Sequence, residues 1–305
     1  MQSIFYTVYE KRYHLGVGSL INSVFQNGFT GTIVLYYRDE PPPWLQLTDH
    51  PLGHSASIGE REIICIPTDP DRHLGFQKAF AAIDITEKFP DLEYLYYADP
   101  DVNFLADFAF FEKWASCGLG VAMDANYPHM PKSHPWRKMW ENWLNKQGFE
   151  IRPYEPYYAN SGAFCCKRPY FGIFSDWCEI ILRYEKDGGD TSNLRHKKRG
   201  FDFIAGDQDA LALAQMITDV PISFMGMEAM GFTGQYFLMS HAVNTPKPWD
   251  CNFILSALRG VKPSVEATKW LDYCEQPIPV LSENQIRMKR FTLLMAKGIS
   301  RIWKR

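Results

Sequence analysis

The stretch Glu93-Tyr-Leu-Tyr-Tyr-Ala-Asp-Pro-Asp101 carries the strongest fold signal in the sequence. Its apolar half is typical of a buried β-strand, and two carboxylates follow at once. In an extended chain residues i and i+2 point to the same side, so Asp99 and Asp101 are predicted to converge. Two hard oxygen donors suit a divalent cation that holds a diphosphate. Spacing alone leaves a second interpretation open, because Asp69-Pro-Asp71 and Asp207-Gln-Asp209 repeat the pattern and such triplets are usually turns or helix caps.

The residues before this stretch alternate between strand and helix patterns. The patterns predict strands at 3–8, 32–37, 62–66 and 93–97, helices at 15–25 and 75–88, and a turn-rich segment at 41–59. Strands separated by helices indicate an α/β fold with a mostly parallel sheet, in which ligands bind beyond the carboxyl ends of the strands. The chain lacks G-x-G-x-x-G after its first strand and lacks G-x-x-x-x-G-K-[ST] altogether, so dinucleotide-binding and P-loop proteins lose their main support.

The second half of the chain is less regular. Its patterns predict strands at 119–123, 163–166 and 236–240 and helices at 136–146, 170–185 and 207–217. The segment 187–200 contains Arg195-His-Lys-Lys-Arg199 and is predicted to be a loop. Two interpretations of this segment remain: a solvated loop, or a lid that contacts the acceptor.

Four short segments occur in a distinctive order along the chain. After Asp99-Pro-Asp101 come Asn160-Ser-Gly162, Asp207-Gln-Asp209 and His241-Ala-Val-Asn-Thr-Pro-Lys-Pro-Trp249. This ordered set resembles the retaining glycosyltransferases of family 8, which include glycogenin and bacterial lipooligosaccharide galactosyltransferases. The resemblance covers residues 4–249, and the last segment is the most specific. It implies a GT-A fold, with a Rossmann-like, mostly parallel sheet flanked by helices.

The resemblance assigns a metal site and a diphosphate contact. By analogy Asp99, Asp101 and His241 are the metal ligands, and Lys247 contacts the donor diphosphate. Two carboxylates and one imidazole favour Mn²⁺ as the cofactor, with Mg²⁺ as the alternative. In isolation His241 would be a satisfied histidine at a strand end. The chain departs from the family at Asn244, where a Gly near the diphosphate is common.

The same resemblance places further residues at the donor sugar. Asp207 and Gln208 are the implied catalytic pair, with Asp207 on the sugar hydroxyls and Gln208 near the reacting carbon. A helix N-cap is the structural alternative for both. The implied sugar-binding residues are Asn160, Ser161, Gly162 and Asp124, the last at the end of a predicted strand.

The nucleotide is expected at the end of the first strand. Thr7, Val8 and Tyr13 stand near the places where the family holds the base, and Lys78 stands where it has a basic residue near the donor. Tyr13 suits stacking on a uracil ring, and a half-buried core tyrosine is the competing interpretation.

The charge distribution and the cysteine content limit the possible partners and cellular compartment of the protein. The formal net charge of -3 provides no overall basic field for nucleic acid. Seven of the 32 basic residues, and none of the 35 acidic ones, fall in residues 286–305. If helical, this tail is amphipathic and predicts peripheral binding to an anionic membrane surface; packing of its apolar stripe on the domain is the alternative. An odd number of cysteines, seven, and no apolar spanning segment predict a cytoplasmic protein.

Together these observations predict a glycosyltransferase domain over residues 1–255 and an extension over 256–305 that ends in the basic amphipathic helix. The implied reaction transfers a hexose from a nucleotide diphosphate sugar, most simply a UDP-sugar, to a glycan or glycolipid acceptor with retention. The implied pathway is lipopolysaccharide or other cell-surface glycan synthesis. The implied location is peripheral, on the inner face of the cell membrane. A nucleotidyltransferase of similar fold and a non-catalytic sugar-nucleotide or carbohydrate-binding protein remain as alternatives.

Overall fold

The computed structural model describes residues 2–194, 204 and 206–302 of the 305-residue chain. Of the loop predicted at 187–200, residues 187–194 contain no helix or strand, and its basic part at 195–199 lies outside the described residues, as do the last three residues of the tail. The strands are β1 (Gln2–Glu10), β2 (Thr32–Arg38), β3 (Thr48–His50), β4 (Gly53–Ile58), β5 (Arg61–Pro67), β6 (Leu92–Ala98), β7 (Val102–Phe104), β8 (Leu119–Met123), β9 (Ala159–Lys167), β10 (Ile222–Met225) and β11 (Met239–His241). The helices are α1 (His14–Gln26), α2 (Leu74–Lys88), α3 (Phe108–Ala115), α4 (Pro135–Lys146), α5 (Gly172–Lys186), α6 (Asp207–Ala214), α7 (Phe253–Leu258), α8 (Val265–Asp272) and α9 (Glu283–Ile302).

Within the described residues, nine strands form one sheet in the order β10-β8-β9-β6-β1-β2-β5-β4-β3. The central strands β6, β1, β2 and β5 are parallel neighbours, and β8 is parallel to β10. Strands β9 and β4 run the other way. The predicted α/β fold with a mostly parallel sheet flanked by helices is confirmed.

Side chains alternate between the two faces of the sheet, as the period of a strand requires. Along β1, Ile4 and Tyr6 belong to one buried core, which helices α2, α4, α5 and α6 cover. Phe5 and Tyr9 belong to the other core, under α1, α3 and the C-terminal helices. Both faces of the central strands are therefore buried, which explains why those strands are almost wholly apolar in sequence.

Three local predictions needed correction. The turn-rich segment 41–59 contains the short strands β3 and β4, which pair as a hairpin against β5. Asn160-Ser-Gly162 was expected ahead of a strand but lies inside β9. Asp99 and Asp101 are not in extended chain, because the amide of Val102 donates to the carbonyl of Asp99 at 3.0 Å and closes a turn.

Helix α1 is buried on all sides between the sheet and the C-terminal extension. The Ser19 hydroxyl donates to the carbonyl of Trp270 at 2.9 Å. The Asn22 amide donates to the carbonyls of Tyr273 and Ile278 at 2.7 and 2.8 Å. Because these buried polar groups are satisfied by residues beyond 255, the extension packs on α1. The predicted domain boundary at residue 255 stays a prediction.

The close packing of α1 predicts a sharp response at Gly16. A methyl group there would lie 2.2 Å from the carbonyl oxygen of Pro100 and 2.7 Å from the ring of Trp249. Gly16→Ala is expected to lower the free energy of unfolding by about 1–3 kcal/mol through overpacking. Gly172→Ala is the matched control, since no described atom outside its own helix lies within 4 Å of the added carbon. We expect it to be neutral or to stabilise by about 0.5–1 kcal/mol in urea denaturation, and equal losses in the two variants would contradict the packing described.

Helix α9 packs on the domain through one face and leaves the opposite face in solvent. Ile286, Leu293 and Ala296 are buried on the inner side. The outer side carries five exposed apolar residues, which are between 45% and 87% accessible: Met288, Phe291, Leu294, Met295 and Ile302. The alternative in which the helix packs on the domain is confirmed in part, because the helix packs through its three buried residues and the half-buried Ile299 while the other five members of the predicted stripe are exposed. No helix in the described ranges is long and apolar enough to cross a membrane.

Candidate active site

A cleft of about 360 Å³ opens at the carboxyl ends of the central strands. Its walls come from the end of β1, the start of α2, the end of β6, the first half of β9, the start of α6 and the loop after β11. The predicted site residues that line it are Val8, Tyr13, Lys78, Asp99, Asp101, Asn160, Ser161, Gly162, Asp207, Gln208, His241 and Lys247. The structure thus brings together residues that are up to 239 positions apart in the chain.

Asp99, Asp101 and His241 form the centre of the cleft. The pairing of β7 with β11 places His241 opposite Val102, and the amide of Ala242 donates to the carbonyl of Asp101 at 2.9 Å. Potential ligand atoms of the three side chains all lie within 4.8 Å of one another. The predicted convergence of the two carboxylates is confirmed, although a turn rather than an extended chain produces it.

The cluster has the composition of a divalent-metal site. Bonds of about 2.0–2.6 Å from one cation to oxygen ligands place opposite ligand atoms about 4–5 Å apart, which matches the observed spread. The buried Nδ1 of His241 has no hydrogen-bond partner among the described residues. A buried polar atom without such a partner is rare in folded proteins and calls for a ligand or an ion. A carbon added at Gly162 would lie 2.5 Å from Cε1 of His241, so the imidazole occupies its place because residue 162 has no side chain. These residues fit a divalent cation with mixed oxygen and nitrogen ligands.

The two carboxylates of the cluster are in different electrostatic environments. Burial acts to raise the pKa of Asp101, but His241 and Lys247 outweigh it and hold the pKa below its usual value. The Lys247 ammonium lies 2.5 Å from Oδ2 of Asp101. The pKa of Asp99 is raised, first by burial, with Lys78 opposing the rise. The Tyr97 hydroxyl donates to Oδ1 of Asp99 at 2.5 Å.

Lys78 is a buried cation between the metal cluster and the predicted sugar site. Its ammonium lies 2.9 Å from Oδ1 of Asp99 and 2.8 Å from Oδ2 of Asp207. Burial acts to lower the pKa of Lys78, but these two carboxylates more than offset it and raise the pKa. Ser161 completes the group, because its hydroxyl donates to Asp207 at 2.7 Å.

Gln208 is held at both ends of its side-chain amide. Its oxygen accepts a hydrogen bond from the amide of Ser161 at 3.3 Å, and its nitrogen donates to Oδ2 of Asp124 at 3.0 Å. Asn160 also donates to Oδ2 of Asp124, at 3.3 Å. Asp124 is buried and does not line the cleft itself, but it fixes two residues that do.

The residues predicted for the nucleotide base separate into two groups. Val8 and Tyr13 border the cleft, and the Tyr13 ring meets Trp249 edge to face at 5.3 Å. Thr7 is fully buried in β1 and is not part of the lining, and its hydroxyl has no partner in the described part of the chain. Of the other two D-x-D triplets, Asp69-Pro-Asp71 is not part of the cleft lining, and the Asp69 side chain is 88% exposed beside Arg38. Asp207-Gln-Asp209 contributes Asp207 and Gln208 to the cleft, whereas buried Asp209 accepts a hydrogen bond from the Tyr158 hydroxyl.

Several cleft residues carry no motif of their own. Glu10 ends β1, Tyr97 nearly ends β6, and His73 precedes α2 in the loop after β5. The Nδ1 of His73 accepts the amide of Gly75 at 3.0 Å, and burial lowers the pKa of His73. The signal that identifies all three is their position at the carboxyl ends of parallel strands, where a ligand is expected.

The arrangement of sheet and cleft defines a GT-A type protein. Solved glycosyltransferases share this fold at low sequence identity. The bifunctional glycosyltransferase WbbM is 12% identical, with a TM-score of 0.57, over 94% of this chain and 51% of its own. GlyE of Streptococcus pneumoniae is 14% identical, with a TM-score of 0.53, over 98% of this chain and 64% of its own. This chain therefore spans only about half of WbbM and less than two thirds of GlyE.

A third structure matches over nearly its whole length. The galactosyltransferase LgtC, crystallised with donor and acceptor sugar analogues, is 14% identical, with a TM-score of 0.51, over 94% of this chain and 99% of its own. No model of a known protein family and no curated protein matches the chain. The protein has the fold of the GT-A glycosyltransferases.

Proposed function

We propose that this protein is a metal-dependent, retaining glycosyltransferase that moves a hexose from a nucleotide diphosphate sugar, in the first place a UDP-sugar, to a glycan or glycolipid. The observation that carries the proposal is the convergence of Asp99, Asp101 and His241 within 4.8 Å in the cleft at the carboxyl ends of the central strands. The fold shared with WbbM, GlyE and LgtC supports it, as does the order of the four sequence segments.

The cleft offers a separate place for each part of such a donor. The base belongs beside Val8, near the end of β1, and Tyr13, which follows the strand and whose ring contacts Trp249 in a T-shaped arrangement. The diphosphate belongs at the metal cluster, where Lys247 adds a positive charge. The sugar belongs beside Asp207 and Gln208, which the buried Lys78 and Asp124 hold in place.

The proposed chemistry rests on stabilising the departing diphosphate. A divalent cation bound by Asp99, Asp101 and His241, preferably Mn²⁺, would offset its developing negative charge. Lys247 contributes a second positive charge from the same loop as His241, provided that it exchanges its contact with Asp101 for the phosphate.

The carboxylates near the sugar are poorly suited to attack it. Asp124 accepts hydrogen bonds from Asn126, Tyr127, Asn160 and Gln208, and Asp207 is paired with Lys78. A carboxylate stabilised by so many donors is a weak nucleophile. We therefore assign no covalent intermediate: Gln208 stabilises the reacting carbon, and the leaving phosphate accepts the proton of the acceptor hydroxyl on the same face.

Calorimetric titration of the whole protein with UDP, GDP, CDP and ADP, with and without Mn²⁺, tests the proposal. We expect UDP to bind most tightly and only weakly without the metal ion. Metal-independent binding, or no binding of any diphosphate, would contradict it. Release of UDP from a UDP-hexose separates an enzyme from a binding protein, and release of pyrophosphate from UTP and a sugar phosphate would instead identify a nucleotidyltransferase.

A second proposal concerns the setting of the enzyme: we infer that α9 lies on an anionic membrane surface. Its solvent-facing apolar stripe, defined above, is bordered along one side of the helix by the exposed residues Arg290, Lys297 and Arg301. Such a helix buries its stripe among lipid chains, and each basic residue adds about 1 kcal/mol at an anionic surface. All seven cysteines are free thiols, which supports a reducing compartment and the cytoplasmic face of the membrane.

Vesicle sedimentation tests this role without removing the buried face of α9. The double variant Phe291→Ser/Leu294→Ser changes side chains that are 56% and 68% exposed. We expect it to bind phosphatidylglycerol vesicles at least about tenfold more weakly than the unchanged protein, because burial of two large apolar side chains is lost. Leu182→Ser, at a residue that is 49% exposed on α5, is the control and should bind normally. Equal binding of all three proteins would refute the membrane role.

A further inference from the structure

Beyond the donor cleft, two groups of aromatic rings lie in the segment from the end of β8 to the start of α4, just before β9 and in β10. In the first, the rings of Tyr127 and Trp136 meet edge to face at 4.9 Å, and His134 lies 5.1 Å from Trp136. In the second, Tyr157 contacts Phe224 at 5.4 Å, and His129 at 6.1 Å. Tyr127 is 41% exposed, and Trp136, Tyr157 and Phe224 are half-buried. We refer to these six residues as the aromatic platform.

The loops under the platform are firmly held. His129 pairs with Tyr157 as an isolated antiparallel bridge, and the Met130 amide donates to the carbonyl of Pro156 at 2.7 Å. Arg137 is fully buried, and its guanidinium donates to the carbonyls of Tyr157 and Met130 at 2.7 and 3.3 Å. Because a buried cation is costly unless it is hydrogen-bonded, these two bonds favour one arrangement of the loop at Met130 relative to the loop at Tyr157.

The platform is joined to the reacting end of the donor cleft through Asp124. One oxygen of Asp124 accepts the amides of Asn126 and Tyr127 at 2.9 and 3.2 Å. The other oxygen accepts the side-chain amide of Gln208, which lines the cleft, at 3.0 Å. One carboxylate therefore sets the position of Tyr127 relative to Gln208.

The order of strands places the platform on the far side of the sugar from the nucleotide. Along the sheet edge the sequence of sites is β1 with the base residues, β6 with Asp99, β9 with Asn160, β8 with Asp124 and then β10. Neighbouring strands are about 4.8 Å apart, so the three steps from β6 to β10 span about 14 Å. This length accommodates a sugar unit or two beyond the donor hexose.

We propose that the aromatic platform is the acceptor subsite and that it takes a saccharide, whose pyranose rings pack their apolar C–H faces on Tyr127, Trp136 and Tyr157. The inference rests on the proposed function, because an acceptor is meaningful only if a donor sugar is transferred. Aromatic faces match the apolar face of a pyranose, and the imidazoles of His129 and His134 provide polar groups at the rim. The subsite selects ring-shaped over open-chain polyols.

Saturation-transfer difference NMR on the whole protein tests the subsite, with methyl β-D-galactopyranoside and methyl β-D-glucopyranoside as probes and mannitol as the open-chain comparison. We expect transfer to the axial ring protons of at least one pyranoside and none to mannitol. Tyr127→Ala and Trp136→Ala should weaken pyranoside binding about two- to tenfold. Tyr127→Phe should bind the pyranosides as the unchanged protein does, because the aromatic ring remains. The matched control is Tyr170→Ala, at a half-buried tyrosine beside the opposite end of the sheet.

UDP titration of the same variants in the presence of Mn²⁺ separates this inference from the proposed function. Unchanged UDP affinity with weakened pyranoside binding is the expected pattern. No transfer to either pyranoside, or equal transfer in Tyr127→Ala, Trp136→Ala and the unchanged protein, would overturn the acceptor subsite. Pyranoside binding in a protein that binds no diphosphate would leave the platform as a sugar site and overturn the transferase proposal instead.

Discussion

Asp101→Asn is expected to lower metal-dependent sugar transfer by roughly a thousandfold and to abolish the effect of Mn²⁺ on UDP affinity. Asp101 is nine-tenths buried and shares its two oxygens between His241 and Lys247. Asparagine keeps the shape but removes the charge that a cation and Lys247 both require. Charge stabilisation by a bound metal ion is worth several kcal/mol in a transition state, and about 4 kcal/mol corresponds to a thousandfold in rate.

The chain contains a matched control for this substitution. Asp69-Pro-Asp71 repeats the local sequence of Asp99-Pro-Asp101 and also follows a strand. Because the Asp69 side chain is 88% exposed and its ion pair with Arg38 lies at the surface, Asp69→Asn should leave UDP release from a UDP-hexose and the Mn²⁺ dependence unchanged. If both variants were equally active, the metal cluster would have no role in the reaction.

Lys78→Met is expected to lower the free energy of unfolding by about 3–5 kcal/mol, because it leaves two carboxylates buried without their cation. Asp99 and Asp207 lie 2.9 and 2.8 Å from the ammonium. Methionine fills most of the volume, so the loss reports charge rather than packing. Urea denaturation followed by circular dichroism measures it.

Lys88→Met, on the same helix, is the control for the lysine substitution. Lys88 also pairs with an aspartate, Asp84, but at a site that is about one third exposed. Its loss should stay below about 1 kcal/mol. Adding Asp207→Asn to Lys78→Met removes one uncompensated charge and should recover part of the stability. Similar losses at Lys78 and Lys88 would show that the buried triad contributes little.

Much of the architecture was predictable from local pattern. Strands β1, β2, β5, β6 and β8 and helices α1, α2 and α4 lie within three residues of their predicted limits. These elements are long and strongly apolar or periodic, so burial of their apolar residues stabilises the same strand or helix that the sequence pattern predicts. The short strands β3 and β4 were missed because a three- to six-residue edge hairpin leaves little periodicity to detect.

The sequence predicted which residues form the site, but not the ion pairs and hydrogen bonds that connect them. The motif order identified Asp99, Asp101, His241 and Lys247. The Lys78 bridge to Asp207 depends on α2 and α6 meeting over β9, and no local pattern encodes that contact. Thr7 was placed at the nucleotide from its position near the strand end, yet its side chain is fully buried and does not line the cleft.

Helix α9 shows which properties the sequence determines and which depend on the tertiary structure. The sequence by itself determined that residues 286–302 form an amphipathic helix with seven basic and no acidic residues out to Arg305, because side-chain spacing and charge are local properties. Only the tertiary structure decided which face is buried. Ile286, Leu293 and Ala296 are buried in the same core as Trp249, Phe253 and Trp270, and Lys289 on that side reaches the carbonyl of Trp249 and the rings of the other two. Those partners come together only when the whole chain has folded, and the larger apolar stripe is thereby left to face outward.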